Sequence, residues 1–404
     1  MERRLPAPIA YVLLYVTLYG AFGVASPYWP KLFESKGLTP QQIGMVLAAA
    51  LVMRLAAGPL IGRLADHLSS LRLVLASCIV VAAAAAAAYT SANAFWLVLL
   101  IALVQAAALA PTTSLADALT VNAARHRKAG KPFEYGRIRG AASLAFLVGT
   151  LVIGQLIVPA DLSPIIWMNA ALLIVAAAAT ALLPGGATET DPHADTARAA
   201  AKVRGLLELS PFRVVIVVSA LVYGSHALYD AFAVIRWSAA GLSAPVISVL
   251  WAEAVAAEVI VFLLIGPWLL DRLGVRGAAV LAAVAGIVRW SAMGFTNSVL
   301  LLSVLQPLHG LTFALLHLAC MRVIGNVVPP GVAATAQALY AFGAGLVTAA
   351  LTWLSGTLYA TYGGSAFLSM AALCVVALPF AWWGLADPRP FAPSPRSSAR
   401  ALRE

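Results

Sequence analysis

Leu301–Tyr340 reads LLSVLQPLHGLTFALLHLACMRVIGNVVPPGVAATAQALY. Its first part is apolar and long enough to cross a bilayer, yet it holds His309 and His317. Two apolar runs upstream also carry ionisable side chains, Glu253 and Glu258 in one and Arg289 in the next. A charge at bilayer depth costs roughly 2.5–3.5 kcal/mol on insertion scales. A Glu, an Arg and a His kept on three successive runs therefore point to a shared, water-accessible cavity and to proton movement with a solute.

The rest of the chain supplies the frame. Of 404 residues, 62% are hydrophobic and 10% charged, against about 25% charged in soluble domains. Apolar runs of about 20 residues recur from end to end, each able to cross about 30 Å of hydrocarbon as a helix. The reading is an all-α membrane protein with twelve spans, near 9–30, 42–62, 73–91, 94–119, 138–158, 164–184, 211–236, 245–270, 276–295, 298–324, 332–358 and 365–386. Residues 1–184 form one six-helix bundle, 185–210 a linker, 211–386 a second bundle and 387–404 a tail. The run Ile9–Trp29 is too long for a signal-peptide core and is read as a retained first span. Cys78, Cys320 and Cys374 all lie inside apolar runs, so no disulfide, metal or cofactor pattern follows from them.

The net charge of +10 is a topology signal. With both termini on one side, that side collects 21 of the 26 Lys and Arg residues. Lys31, Lys36 and Arg236 fall on the other side, and Arg54 and Arg289 stay within spans. Positive loops remain cytoplasmic, which places both ends inside. The excess calls for no nucleic acid; the partners are the lipid bilayer, a small solute and protons, with the chain acting as a monomer. Abundant Ala and the preference for Arg over Lys suggest a GC-rich bacterial source, hence an inner membrane.

Candidate residues follow along the chain. Tyr11, Tyr15 and Tyr19 share one face of span 1 and read as helix packing or as an aromatic cavity wall. Arg54 lies too deep in span 2 to snorkel and suits a cavity. Asp66 caps a neighbouring helix in a gate, and Asp117 can pair with Arg137 or Arg139 at the ends of spans 4 and 5. His226 and Asp230 are one turn apart and can hydrogen-bond. Trp251 and Glu253 lie on span 8 above Glu258. His309 and His317 are about 80° apart and about 12 Å along one helix, so both can face one cavity at different depths. A carboxylate in a low-dielectric cavity can hold a proton near neutral pH, and histidine can relay or orient. Glu258 is the expected proton carrier, Arg289 its modulating partner, and His317 and His309 relay or solute-binding groups. No Ser/His/Asp set, metal cluster or phosphate loop is present, which argues against an enzyme.

The halves repeat. Gly58-Pro-Leu-Ile-Gly-Arg-Leu-Ala-Asp66 recurs in outline as Gly266-Pro-Trp-Leu-Leu-Asp271, and the two aspartates are 205 residues apart. The first copy resembles the loop signature of the major facilitator superfamily, with His67 where that pattern has an arginine. Other matching pieces are Pro27-Tyr-Trp-Pro30, Tyr135-Gly-Arg-Ile-Arg139, Leu250-Trp-Ala…Glu258, Arg289-Trp290, Leu308-His-Gly-Leu-Thr-Phe313…His317 and Ala336-Gln-Ala-Leu-Tyr340. Together they resemble the phenylpropionate-transporter-like branch, related to the lactose permease and nucleoside symporter groups. The resemblance implies two six-helix bundles, alternating access and proton-coupled uptake. It carries the coupling Glu, Arg and His of the permeases onto Glu258, Arg289 and His317 or His309. No lysine stands on spans 10 and 11, so the sugar mechanism does not carry over whole. An aromatic carboxylate would suit Arg54, the tyrosine stripe and Trp251. The alternatives are a nucleoside or oligosaccharide symporter and a proton-driven efflux antiporter.

Overall fold

The computed structural model describes residues 7–68, 70–125, 135–183 and 203–385. The tail at 387–404 and most of the linker lie outside them, as does the side chain of Asp66. A bilayer offers no water to backbone N–H and C=O groups, so a spanning chain must satisfy them within helices or a closed barrel. The described residues take the first course. The first half comprises α1 (Ala7–Ala25), α2 (Trp29–Ser35), α3 (Pro40–His67), α4 (Leu71–Ala88), α5 (Phe95–Leu109), α6 (Thr112–Arg125), α7 (Tyr135–Leu156) and α8 (Ser163–Ala181). A short helix α9 (203–208) precedes the second half. There follow α10 (Ser210–Gly224), α11 (Ala227–Ala239), α12 (Ala244–Ile260), α13 (Gly266–Phe295), α14 (Val299–Leu305), α15 (Leu308–Gly310), α16 (Leu316–Val327), α17 (Ala333–Tyr362) and α18 (Phe367–Gly384).

Among the described residues, ten segments are long and apolar enough to cross a membrane, and two of these, Ala244–Phe295 and Ala333–Gly384, run for 52 residues. A straight helix of that length would extend about 78 Å, more than twice the hydrocarbon thickness. Each is turned by a glycine at positive φ: Gly274 (φ 65°, ψ 177°) inside α13, and Gly363 (φ 54°) between α17 and α18. Side chains with a Cβ rarely take that conformation.

Three expected continuous spans are broken instead. The chain kinks between α5 and α6 at Pro111 and between α14 and α15 at Pro307, where proline removes an N–H from the helix ladder. It also breaks between α10 and α11 at Ser225-His226. There the Ser225 hydroxyl donates to the Val222 carbonyl (2.6 Å) and accepts the indole N–H of Trp290 (2.8 Å). The expected span 9–30 ends early, at Ala25, and α2 follows as a separate helix.

The bundles are sealed at one end. Far from Ala7 and Leu385, one apolar cluster joins both halves, mixing Tyr28, Phe33 and Ile153 with Phe232, Ile247 and Trp290. At the near end each bundle keeps a cluster of its own, one around Leu14, Leu75 and Leu173, the other around Phe212, Ala282 and Ile324. Small residues allow the far-end seal. A Cβ on Gly154 of α7 would lie 2.3 Å from Ser248 of α12, and one on Gly356 of α17 would lie 2.6 Å from the Pro40 carbonyl of α3. The Tyr28 hydroxyl donates to the Ala244 carbonyl across the same seam (3.1 Å). At the near end a Cβ on Gly62, Gly136 or Gly140 would meet nothing within 4 Å. The bundles therefore part toward the near end and close at the far one.

Candidate functional site

A cluster of polar side chains sits inside the second bundle, where α11, α12, α13 and α15 converge. Both helices that bring its acid and imidazole together are locally widened: π turns occupy Val261–Ile265, just after Glu258, and Leu311–Leu315, just after His309. Such turns recur at functional sites because they re-aim side chains without ending the helix. Gly310 lets the two helices touch here, since a Cβ on it would lie 2.6 Å from the Ala257 carbonyl.

Arg289 is fully buried. One guanidinium nitrogen faces His309 Nδ1 (3.0 Å), and the other donates to Gln306 Oε1 (3.0 Å). The group lies over the Tyr229 and Trp290 rings, 4.5 Å from each centroid, and the Tyr229 hydroxyl donates to the same Gln306 oxygen (3.3 Å). Burying a cation costs several kcal/mol unless it is paired and hydrogen-bonded, and these partners meet part of that cost. Beyond the imidazole, His309 Nε2 stands 3.5 Å from Glu258 Oε2. An arginine can only donate. His309 Nδ1 must therefore accept from it, and the single ring proton is on Nε2, facing Glu258. His309 thus stands between Glu258 and Arg289, the expected carrier and its modulating partner.

His226 also departs from expectation. Its Nδ1 faces the Val222 carbonyl (3.0 Å) and its Nε2 faces the Thr312 hydroxyl (3.0 Å), so neither ring nitrogen is bonded to Asp230. A carbonyl only accepts, which fixes a proton on Nδ1. His317 lies farther along, beside Phe262 and Tyr340, with ring centroids at 5.5 and 6.3 Å. Its charge interaction is with Glu258.

Two cavities border this cluster. The first, of about 310 Å³, lies between the bundles and is lined by Trp29, Phe33, Arg54, Tyr89, Gln105 and Asp230 among others. The second, of about 390 Å³, is lined by Tyr223, His226, Asp230, His309, His317 and Tyr340 among others. Asp230 and Thr348 belong to both. Arg54 is exposed on the wall of the first cavity and Asp230 on the walls of both, and no side-chain hydrogen bond or ion pair joins either to another described residue.

The tyrosine stripe lies elsewhere. Tyr11 and Tyr15 are buried; the Tyr15 hydroxyl donates to Asp117 (2.5 Å), and Tyr11 donates to the Leu119 carbonyl (3.2 Å). Tyr19 stacks on Tyr15 at 5.9 Å and carries the Arg139 guanidinium over its ring at 4.7 Å. Asp117 is thus engaged by a tyrosine from α1, and Arg137 is exposed. Trp251 is buried against Tyr229, with ring centroids 5.0 Å apart, and Glu253 is half-buried, with one carboxylate oxygen lacking a hydrogen-bond partner. Asp271 accepts from Arg322 (2.6 Å) within the second bundle.

The aromatic floor of the first cavity is made instead by Trp29, Phe33 and Tyr89, whose ring centroids lie 4.8–6.1 Å apart. The sequence points to Trp29 only as part of the piece Pro27-Tyr-Trp-Pro30, and does not single out Gln105 or Gln306. An amide inside an apolar run was the available signal for both glutamines.

The MFS_1-like family model matches residues 9–371, nearly the whole chain. The chain belongs to that family. It is 31% identical over 370 residues to a probable 3-phenylpropionic acid transporter of Escherichia coli K12, covering 90% of this chain and 94% of that one. It is 26% identical to a maltose permease of Geobacillus stearothermophilus, covering 93% and 92%. Among solved structures it resembles a nucleoside transporter, with a TM-score of 0.83 at 18% identity, covering 95% of this chain and 100% of that one. A D-xylose–proton symporter superposes with a TM-score of 0.69 at 13% identity, covering 94% and 97%. The fold is that of major facilitator transporters, and the protein is a multi-pass membrane transporter of this type.

Proposed function

We propose that the protein is a proton-coupled symporter of a small aromatic carboxylate, working by alternating access in a bacterial inner membrane with both termini cytoplasmic. Splitting each 52-residue segment at its positive-φ glycine gives twelve spans, six to a bundle. On this topology the sealed far end faces outward, and the conformation is inward-facing.

The observation that carries the reading is Arg54. Its guanidinium has no hydrogen-bond or ion-pair partner among the described residues and stands on the wall of a cavity floored by three aromatic rings. A fixed cation beside an apolar, aromatic surface suits an arene carrying a carboxylate. The likeness to a probable 3-phenylpropionic acid transporter supports the same choice.

Coupling follows from the hydrogen bonds. A second proton on His309 would break its bond to Arg289 and set two cations side by side. The proton that comes and goes is accordingly placed on Glu258, with His309 orienting it. Adding 3-phenylpropionate to proteoliposomes tests this directly: symport alkalinises the external medium, whereas acidification, or uptake of a nucleoside or disaccharide in its place, would overturn the reading. Arg54→Gln should weaken binding of the carboxylate by about 10- to 150-fold, the size of a hydrogen bond to a charged group. Calorimetric titration of the purified variant would measure it.

A further inference from the structure

We propose that Asp230 is a specificity-determining residue that selects aromatic carboxylates bearing a hydrogen-bond donor on the ring. The inference rests on the aryl-carboxylate reading above and narrows it.

Asp230 stands on α11 of the second bundle and Arg54 on α3 of the first, both on the wall of the same cavity. The groups that would ordinarily satisfy Asp230 are committed elsewhere. His226, one turn before it, spends both ring nitrogens on Val222 and Thr312. Arg289, whose charge acts on Asp230, directs its hydrogen bonds to His309 and Gln306. By contrast, Glu258 has His309, Asp117 has Tyr15, and Asp271 has Arg322. Asp230 thus offers open acceptor positions to whatever occupies the cavity.

The two charges give the cavity a polarity. Counted along its helix, Arg54 lies about 21 Å from the far end of α3, and Asp230 about 14 Å from the far end of α11. Beyond Asp230, at the sealed end, lie Trp29, Phe33 and Tyr89. A ligand with its carboxylate on Arg54 extends its ring past Asp230 toward the aromatic floor. An unsubstituted ring lays an apolar edge against an open carboxylate, which desolvates that carboxylate without replacing its hydrogen bonds. A phenolic hydroxyl or an ammonium at that edge instead makes a charge-assisted hydrogen bond. A site built to hydrogen-bond a ligand group discriminates strongly against the analogue that lacks it.

The test uses the full-length protein in lipid nanodiscs and five probes: 3-phenylpropionate, its 3-hydroxy, 4-hydroxy and 4-aminomethyl derivatives, and its 4-methoxy derivative, which adds size without a donor. At least one donor-bearing probe should bind about tenfold or more tightly than 3-phenylpropionate, and the methoxy probe should gain nothing. The hydroxy and aminomethyl arms separate a neutral donor from a cationic one. In Asp230→Asn the donor advantage should shrink to about threefold or less, as the charge assistance is lost. The wild-type series decides the matter even if the variant folds poorly. Equal binding of all five probes overturns the role of Asp230 and leaves the aryl-carboxylate reading standing. If none of the five binds, that reading fails and this one fails with it.

Discussion

Glu258→Gln is expected to abolish proton-driven accumulation while solute exchange persists at a reduced rate. Glutamine keeps a carbonyl oxygen for the His309 Nε2–H, so the chain of contacts through Arg289 and Gln306 has no reason to collapse. It cannot take up or release a proton. One pH unit corresponds to about 1.4 kcal/mol, or about tenfold accumulation per coupled proton. The variant should equilibrate its solute to a ratio near one under the same gradient. Counterflow of labelled solute, which needs no net proton movement, separates loss of coupling from loss of binding. Accumulation at the wild-type level in this variant would remove Glu258 from the role and return His309 or His317 as the carrier.

The second large effect concerns the seam between the bundles. In Gly154→Ala the added Cβ would lie 2.3 Å from Ser248 and 3.0 Å from the Ala244 carbonyl. The clash involves a short side chain and backbone, so rotamer changes cannot relieve it. Overpacking of this kind costs about 1–3 kcal/mol, and here it falls only on the conformation in which the far end is closed. That shifts the conformational equilibrium by about 5- to 150-fold toward far-end opening. Spin labels at Asn93 and Asn297, exposed in far-end loops of the two bundles, would report the change as a longer distance distribution. Transport should slow in step, because each cycle must pass through the disfavoured state. An unchanged distribution with normal transport would mean that α7 and α12 do not form the closing contact.

Much of the architecture was legible because the bilayer imposes a length and an apolarity that hydropathy alone can read. The near-halfway recurrence from Asp66 to Asp271 was read from the sequence in the same way, as an internal repeat. Pairings among side chains were far less legible. Glu258, His309 and Arg289 were singled out because charge at bilayer depth is costly, a property of each residue taken alone. Their order, with the imidazole in the middle, depends on two π turns and on the close approach at Gly310. The tyrosine stripe shows the converse. Its spacing fixes a common face but not what that face meets, and it turned out to pack against Asp117, Leu119 and Arg139.

The sequence by itself determined that this is a helical, multi-pass membrane protein, and which ionisable groups lie within its apolar runs. Those outcomes depend on transfer free energies summed along the chain, a local property. Only the tertiary structure decided that the far end is sealed, that Trp29, Phe33 and Tyr89 floor a cavity between the bundles, and that Arg54 and Asp230 face that cavity without side-chain hydrogen bonds or ion pairs to other described residues. Those features arise where helices distant in sequence cross, and they depend on helix rotation and depth. A single apolar stretch carries no record of either.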